Sequence, residues 1–321
     1  MKNRTRKFYA LILALILLLA CQPPNLWGVT SFTPAASATA TATLTPTATE
    51  TPTASPTVTP TLRPLIRRVL IISYDGLRPE AIELAPMANL QALMQNSAYT
   101  LKAQTIFPSA TLPAHSSMLG GMCLAKHGVT WNDYIPANGY ARGTDLFDLA
   151  HAAGFKTVMY VGKEKLRQVT EPASTDIFKF IDDRDLVIAE QLLAEFPQDF
   201  GLMFIHLTTV DAMGHEYGWL SPEQLSVAYR GDEALGKLLA ALDTYGLRNE
   251  TLIIVTADHG GHDTTHGYST PEDMTIPWIM AGPGVQPVRR TVWNDEPRST
   301  GSGPWSLPSI VRLAVMVYSR P

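Results

Sequence analysis

Cysteine is nearly absent from this 321-residue chain. With only Cys21 and Cys123, a disulfide framework and a cysteine-rich zinc site are both excluded. Charge is also sparse. Asp, Glu, Lys and Arg make up 17 % of the residues and the formal net charge is -4, so the clustered basic surface that nucleic acid demands is missing. What is plentiful is apolar: a hydrophobic fraction of 45 % supplies one sizeable core.

The first residues read as an address. Lys2, Arg4, Arg6 and Lys7 form a basic region, followed by the apolar run FYALILALILLLA at residues 8–20. That run is short of the roughly 20 residues of a transmembrane helix and fits a signal peptide. It ends in Leu18-Leu19-Ala20-Cys21, which resembles a bacterial lipobox. Residues 1–21 are therefore expected to be a lipoprotein signal, with Cys21 the lipid-modified terminus of an exported, cell-surface protein. An ordinary secretory signal or an uncleaved anchor is the competing expectation. Cys123 is then expected to be a small buried apolar residue. Residues 22–64 are dominated by Thr, Pro, Ala and Ser and read as an extended stalk that cannot bury a core.

From residue 65 apolar runs of two kinds alternate. Residues 69–73, 157–161, 202–207, 251–256 and 276–280 are short and continuous, as in buried strands. Residues 86–96, 184–196 and 222–245 carry helical spacing. Buried strands separated by helices predict an α/β fold, with a mostly parallel central sheet flanked by helices on both faces, over residues 65–290.

Acidic and histidine residues follow the predicted strands. Asp75 follows the first, Asp211 the third, and Asp258 with His259 the fourth. Ligands of open α/β sheets bind beyond the carboxyl ends of the strands, so one shared acidic pocket is expected. Carboxylates gathered there repel unless cations neutralise them, and nearby imidazoles point to zinc or a similar transition metal. Asp211 and His215, four residues apart, share one face of a helical turn. Thr111, just ahead of Leu112-Pro113, is placed at a helix N-terminus, where backbone amides favour an anion. By itself each such residue is also an ordinary cap or turn residue.

Read in order, these motifs resemble the alkaline phosphatase superfamily. Within it they are similar to the type I phosphodiesterase / nucleotide pyrophosphatase proteins, over residues 68–285. The ordered set is Asp75-Gly76, Phe107-Pro108, Thr111 to His115, His127-Gly128 with Asn132, Asp211 with His215, Asp258-His259-Gly260, His266-Gly267-Tyr268 and Gly282-Pro283-Gly284.

The resemblance implies two divalent metal ions, of which zinc is the expected identity. Asp211, His215 and His266 would hold one. Asp75, Asp258 and His259, with the Thr111 oxygen, would hold the other. Thr111 would be the nucleophile of a phosphate-ester hydrolase working through a phosphothreonine, on a small phosphate-ester substrate. Asn132 would donate to a nonbridging phosphoryl oxygen. His262 competes with His266 as a ligand, and His115 is expected to be structural. Glu216, Lys163 and Arg142 are within reach of a substrate in principle.

Two departures qualify that expectation. Nucleotide-cleaving relatives carry an aromatic residue directly after the nucleophile, where this chain has Leu112. Residues 291–321 do not continue the family pattern and read as an atypical or truncated tail. A phosphomonoesterase, a phosphomutase and a non-catalytic binding lipoprotein are the rival functions.

Overall fold

The computed structural model describes residues 66–290. The expected signal, stalk and tail, with Cys21, lie outside these residues. Eight strands form one sheet: β1 Arg68–Tyr74, β2 Ala98–Gln104, β3 Lys156–Val161, β4 Ile177–Phe180, β5 Phe200–Leu207, β6 Thr251–Ala257, β7 Thr275–Ala281 and β8 Val288–Arg290. Their spatial order is β4-β3-β5-β1-β6-β7-β2-β8. The first five in that order run parallel, whereas β7 is antiparallel to both β6 and β2.

Every residue of β5 and β6 is buried, as are Val69 to Tyr74 in β1. These strands have helices over both faces, so continuous apolar runs, not alternating ones, are what burial requires. Each fully buried Ile or Leu contributes about 1.5–3 kcal/mol relative to exposure, and a charged residue at Ile71 would break the sheet at its centre.

The long helices are α1 Ala88–Gln95, α2 Thr111–Gly120, α3 Leu146–Ala152, α4 Asp185–Ala194, α5 Thr209–Tyr217 and α6 Pro222–Thr244. Helix α6 starts where Ser221 accepts the Gln224 amide and Pro222 takes the first turn. It lays Leu235, Leu238 and Leu242 into the core and packs on α1, α4 and α5. Its buried Asp232 accepts the amides of Asn89 and Leu90 at 2.8 Å each, capping α1 from outside. In a second group, α2 is buried along all ten residues and α3 is secured by the Asp145–Asp148 capping box.

The anticipated α/β architecture holds, and the five expected strands and three expected helices are present within a residue or two. The first helix begins at Ala88 because Met87, at φ -72° and ψ 76°, lies outside the helical range, and residues 81–84 form a separate turn of helix. Strands β2, β4 and β8 were not anticipated. β2 alternates buried and exposed residues and carries Lys102 and Gln104, so it lacks the apolar run of its neighbours. Cys123 is half-buried and not buried as expected.

Candidate active site

Register gathers the site. Tyr74 of β1 pairs with Leu207 of β5 and with Ala257 of β6, so the three strands end level and the next residues emerge at one edge. Asp75 leaves β1 there, its amide donating to Leu207 O at 2.8 Å, and Asp258 leaves β6 beside it. Helix α5 begins two residues after β5 and carries Asp211 in its first turn and His215 one turn later. Gly76 makes the tight approach possible. Its φ is +71°, and a Cβ there would lie 3.1 Å from Asp211 Cβ. Its amide donates to Asp258 Oδ1 at 3.1 Å.

Three imidazoles face the carboxylates in one consistent way. His215 Nδ1 pairs with Thr264 O at 2.9 Å, His259 Nδ1 with Gly260 O at 2.7 Å, and His266 Nδ1 with Ser109 O at 2.8 Å. A backbone carbonyl on Nδ1 fixes that nitrogen as the donor and leaves the Nε2 lone pair aimed inward, the arrangement of a metal-ligating histidine. His215 and His266 each place Nε2 3.5 Å from Asp211 Oδ1. His259 places Nε2 3.3 Å from Asp75 Oδ1, 3.4 Å from Asp258 Oδ2 and 4.0 Å from Asp211 Oδ1.

Two sets of donor atoms within 4.8 Å of one another result, Asp211–His215–His266 and Asp75–Asp211–His259. Asp211 belongs to both. Asp75 Oδ1, Asp211 Oδ1, Asp258 Oδ2 and His259 Nε2 are buried without a hydrogen-bond partner. Each such atom costs about 1–3 kcal/mol when left unsatisfied. Four of them converging from four residues fit divalent cations well, and the mixed carboxylate–imidazole donor set suits zinc.

The electrostatics follow from burial and crowding. Burial raises the Asp75 carboxyl, but the Lys163 ammonium, the hydrogen bond from His206 and the nearby His259 imidazole outweigh it and hold it well below the usual range. Burial lowers the His259 imidazole, yet the carboxylates of Asp258, Asp75 and Asp211 push it up to about 9. The Lys163 ammonium is likewise raised by Asp75 and Asp211 against burial. His266 is lowered by burial and by the neighbouring His259, whose ring stacks on it at 3.8 Å.

Thr111 is fully buried as the first residue of α2, with Ala110 in the capping position, so its hydroxyl is not consumed as a cap. Oγ1 has Lys163 Nζ at 3.5 Å. Asn132 Oδ1 accepts the Leu112 amide at 2.9 Å and so sits against the same helix end.

His262 is drawn elsewhere. Its Nδ1 lies 2.6 Å from Oδ1 of the buried Asp273, whose other oxygen accepts the Tyr268 amide at 2.8 Å. This pairing ties down the loop that presents His266. His115 is fully buried between Ser73 Oγ at 2.9 Å and Thr111 O at 2.8 Å, and burial lowers it to about 4. Among the described residues neither Glu216 nor Arg142 pairs with Asp75, Asp211 or Asp258, and Arg142 packs beside Gly128. Two residues matter more than their sequence context indicated. His206, a single imidazole inside the apolar strand LMFIHL, puts Nε2 2.8 Å from Asp75 Oδ2. Lys163 follows β3 at the same sheet edge and reaches the centre of the cluster.

The chain matches the family described as "Type I phosphodiesterase / nucleotide pyrophosphatase" over residues 69–275. Human ectonucleotide pyrophosphatase/phosphodiesterase family member 5 is 24 % identical over 215 residues, which span 60 % of this chain and 45 % of that protein. GPI ethanolamine phosphate transferase 1 of Candida glabrata is 25 % identical over 258 residues, 70 % of this chain and 28 % of that protein. The chain thus spans less than half the length of these relatives. Among solved structures, murine ectonucleotide pyrophosphatase/phosphodiesterase 5 superposes with a TM-score of 0.64 at 15 % identity, covering 78 % of this chain and 95 % of that one. An inactive threonine-to-alanine variant of the same murine protein, in complex with AMP, gives the same TM-score of 0.64 and 15 % identity, covering 79 % and 95 % of the two chains.

Proposed function

The chain belongs to the type I phosphodiesterase / nucleotide pyrophosphatase family, and from that premise we propose that it is a metal-dependent hydrolase of phosphate esters favouring phosphodiester and pyrophosphate bonds. The observation that carries this reading is the convergence of four buried, unpartnered donor atoms in a cluster whose Lys163 ammonium also reaches the Thr111 hydroxyl. Asp211, His215 and His266 would hold one zinc ion, and Asp75, Asp258 and His259 with the Thr111 oxygen the other. When bound, such a pair of ions supplies positive charge for the attacking and leaving oxygens of an in-line displacement.

The remaining work falls to the chain's own side chains. Thr111 oxygen attacks phosphorus, and its proton passes to the departing oxygen as the bond to the leaving alcohol or phosphate breaks. The product is a phosphothreonine that still carries the substrate's other ester group. Water then cleaves that ester, restoring the hydroxyl and releasing a phosphomonoester. The N-terminus of α2 offers a favourable field for the phosphoryl group. Asn132, anchored through Oδ1, has its Nδ2 to donate to a nonbridging oxygen.

Leu112 is fully buried and presents no surface to a substrate. Aromatic surface near the site comes from Phe107 and Tyr268, 60 % and 55 % exposed, on segments joined by the Ser109 Oγ donation to Tyr268 O. A nucleoside phosphate, as in the AMP-bound murine relative, is one substrate this surface suits. Residues 1–64 would export the enzyme and tether it to the cell surface through Cys21.

Metal analysis of the purified protein, paired with hydrolysis of bis-p-nitrophenyl phosphate against p-nitrophenyl phosphate, tests the reading. Two equivalents of zinc and preference for the diester are expected, and Thr111→Ala should abolish turnover with both ions retained. Zinc-loaded protein inert toward both esters would overturn it.

A further inference from the structure

Lys163 stands at the start of the short helical turn Glu164–Val169, behind β3. Its ammonium lies 2.7 Å from Asp75 Oδ2, 2.5 Å from Asp211 Oδ2 and 3.5 Å from Thr111 Oγ1. The two carboxylates therefore divide their oxygens. The Oδ2 atoms turn to the ammonium, and the Oδ1 atoms turn to the imidazole nitrogens of His259, His215 and His266. Only the Oδ1 atoms are without hydrogen-bond partners. A divalent ion taken up there needs no oxygen that Lys163 already uses.

We propose that Lys163 is a resident third cation of the active site, kept in place when divalent ions bind, and that its remaining N–H serves Thr111 and the phosphoryl group carried on it. The inference deepens the hydrolase reading and rests on it. An ammonium has three donors, and two are spent on Asp75 and Asp211. The third faces the hydroxyl that develops negative charge during attack, where a charge-assisted hydrogen bond is about twice as strong as a neutral one. Three buried carboxylates against two dications and one ammonium leave the pocket net positive, which suits an anionic ester. Expelling the lysine would leave Asp75 with His206 alone on its Oδ2 and Asp211 with no partner there.

The test is chemical labelling of the full-length wild-type protein with an acetylating reagent, metal-free and zinc-loaded, followed by peptide mass spectrometry. The exposed Lys102 is the internal control. Lys163 should stay at least about tenfold less modified than Lys102 in both states, because its donors are engaged. If zinc makes Lys163 as reactive as Lys102, the lysine is displaced and the proposal is overturned. Lys163→Met should bind the same two zinc ions about tenfold more tightly, since a nearby positive charge is gone, and turn over bis-p-nitrophenyl phosphate roughly a hundredfold more slowly. Wild-type turnover in that variant also overturns the proposal. Labelling needs no variant, so a misfolded Met protein leaves the question decidable. Wild-type protein that binds no zinc brings down the hydrolase reading, and this inference with it.

Discussion

Asn132 Oδ1 accepts the Leu112 backbone amide at 2.9 Å, fastening a half-buried loop residue to the end of the helix that Thr111 begins. The bond orients the side chain and satisfies one of the amides a helix N-terminus leaves open. Asn132→Ala should therefore act twice. Turnover should fall about 10²–10³-fold through the lost donor, and stability should drop by about 1 kcal/mol through the lost hydrogen bond. Steady-state kinetics and thermal melts on one preparation separate the two effects. A melt unchanged from wild type would show that the contact to Leu112 contributes nothing.

His206 works one step back from the ligands proposed for the second metal ion. By holding Asp75 Oδ2 at 2.8 Å it fixes the plane of a carboxylate whose other oxygen points at His259. His206→Ala should weaken zinc binding about 10–100-fold, the usual effect of removing such a partner. Competition with a chromophoric chelator measures it, and unchanged affinity would mean Lys163 positions Asp75 unaided.

Gly76 predicts an effect on Asp211. Its φ of +71° is one an alanine adopts at a cost of roughly 1–2 kcal/mol. The added methyl would also press on Asp211 Cβ, 3.1 Å away. Gly76→Ala should lose that stability and part of its zinc, whereas Gly139→Ala, a positive-φ position with open space around it, should lose stability alone.

The His262–Asp273 pair makes a prediction about ligand identity. His262→Gln should keep both zinc ions, since its Nδ1 is spent on Asp273, yet make the loop around His266 more sensitive to protease. Loss of one zinc in this variant would reverse that assignment.

Without metal, alkaline pH should destabilise the protein. His259 is raised from 6.5 to about 9 in the folded state, so its contribution is fully present below pH 6.5 and is lost as pH rises through 9. His262, raised by Asp273, acts in the same direction. Melting temperature in a chelator should fall between pH 6.5 and 9. Zinc should reverse the loss, because the neutral ring is the one that ligates. A flat profile in the chelator would mean the His259 ring is not held protonated by its three carboxylates.

Much of this was legible in the chain. The runs at residues 69–73, 202–207 and 251–256 announce buried parallel strands because burial on two faces permits no polar alternation. Their common end places Asp75 and Asp258 at one edge, and the four-residue spacing of Asp211 and His215 puts both on one turn of α5. Strand β2 stayed hidden because a half-exposed strand is stabilised by its neighbours, not by its own composition. His206 and Lys163 show the same limit at the site. An imidazole inside an apolar strand and a lysine two residues past another strand look ordinary in one dimension.

Residue type and order alone determined the buried central strands, their functional edge and the donor atoms available there. Which oxygen of each carboxylate meets an ammonium and which meets an imidazole, and that His262 goes to Asp273 while His266 faces Asp211, only the tertiary structure decided. Those choices depend on side-chain directions and on distances of a few ångströms, and hydrogen bonding and charge pairing are settled at that range.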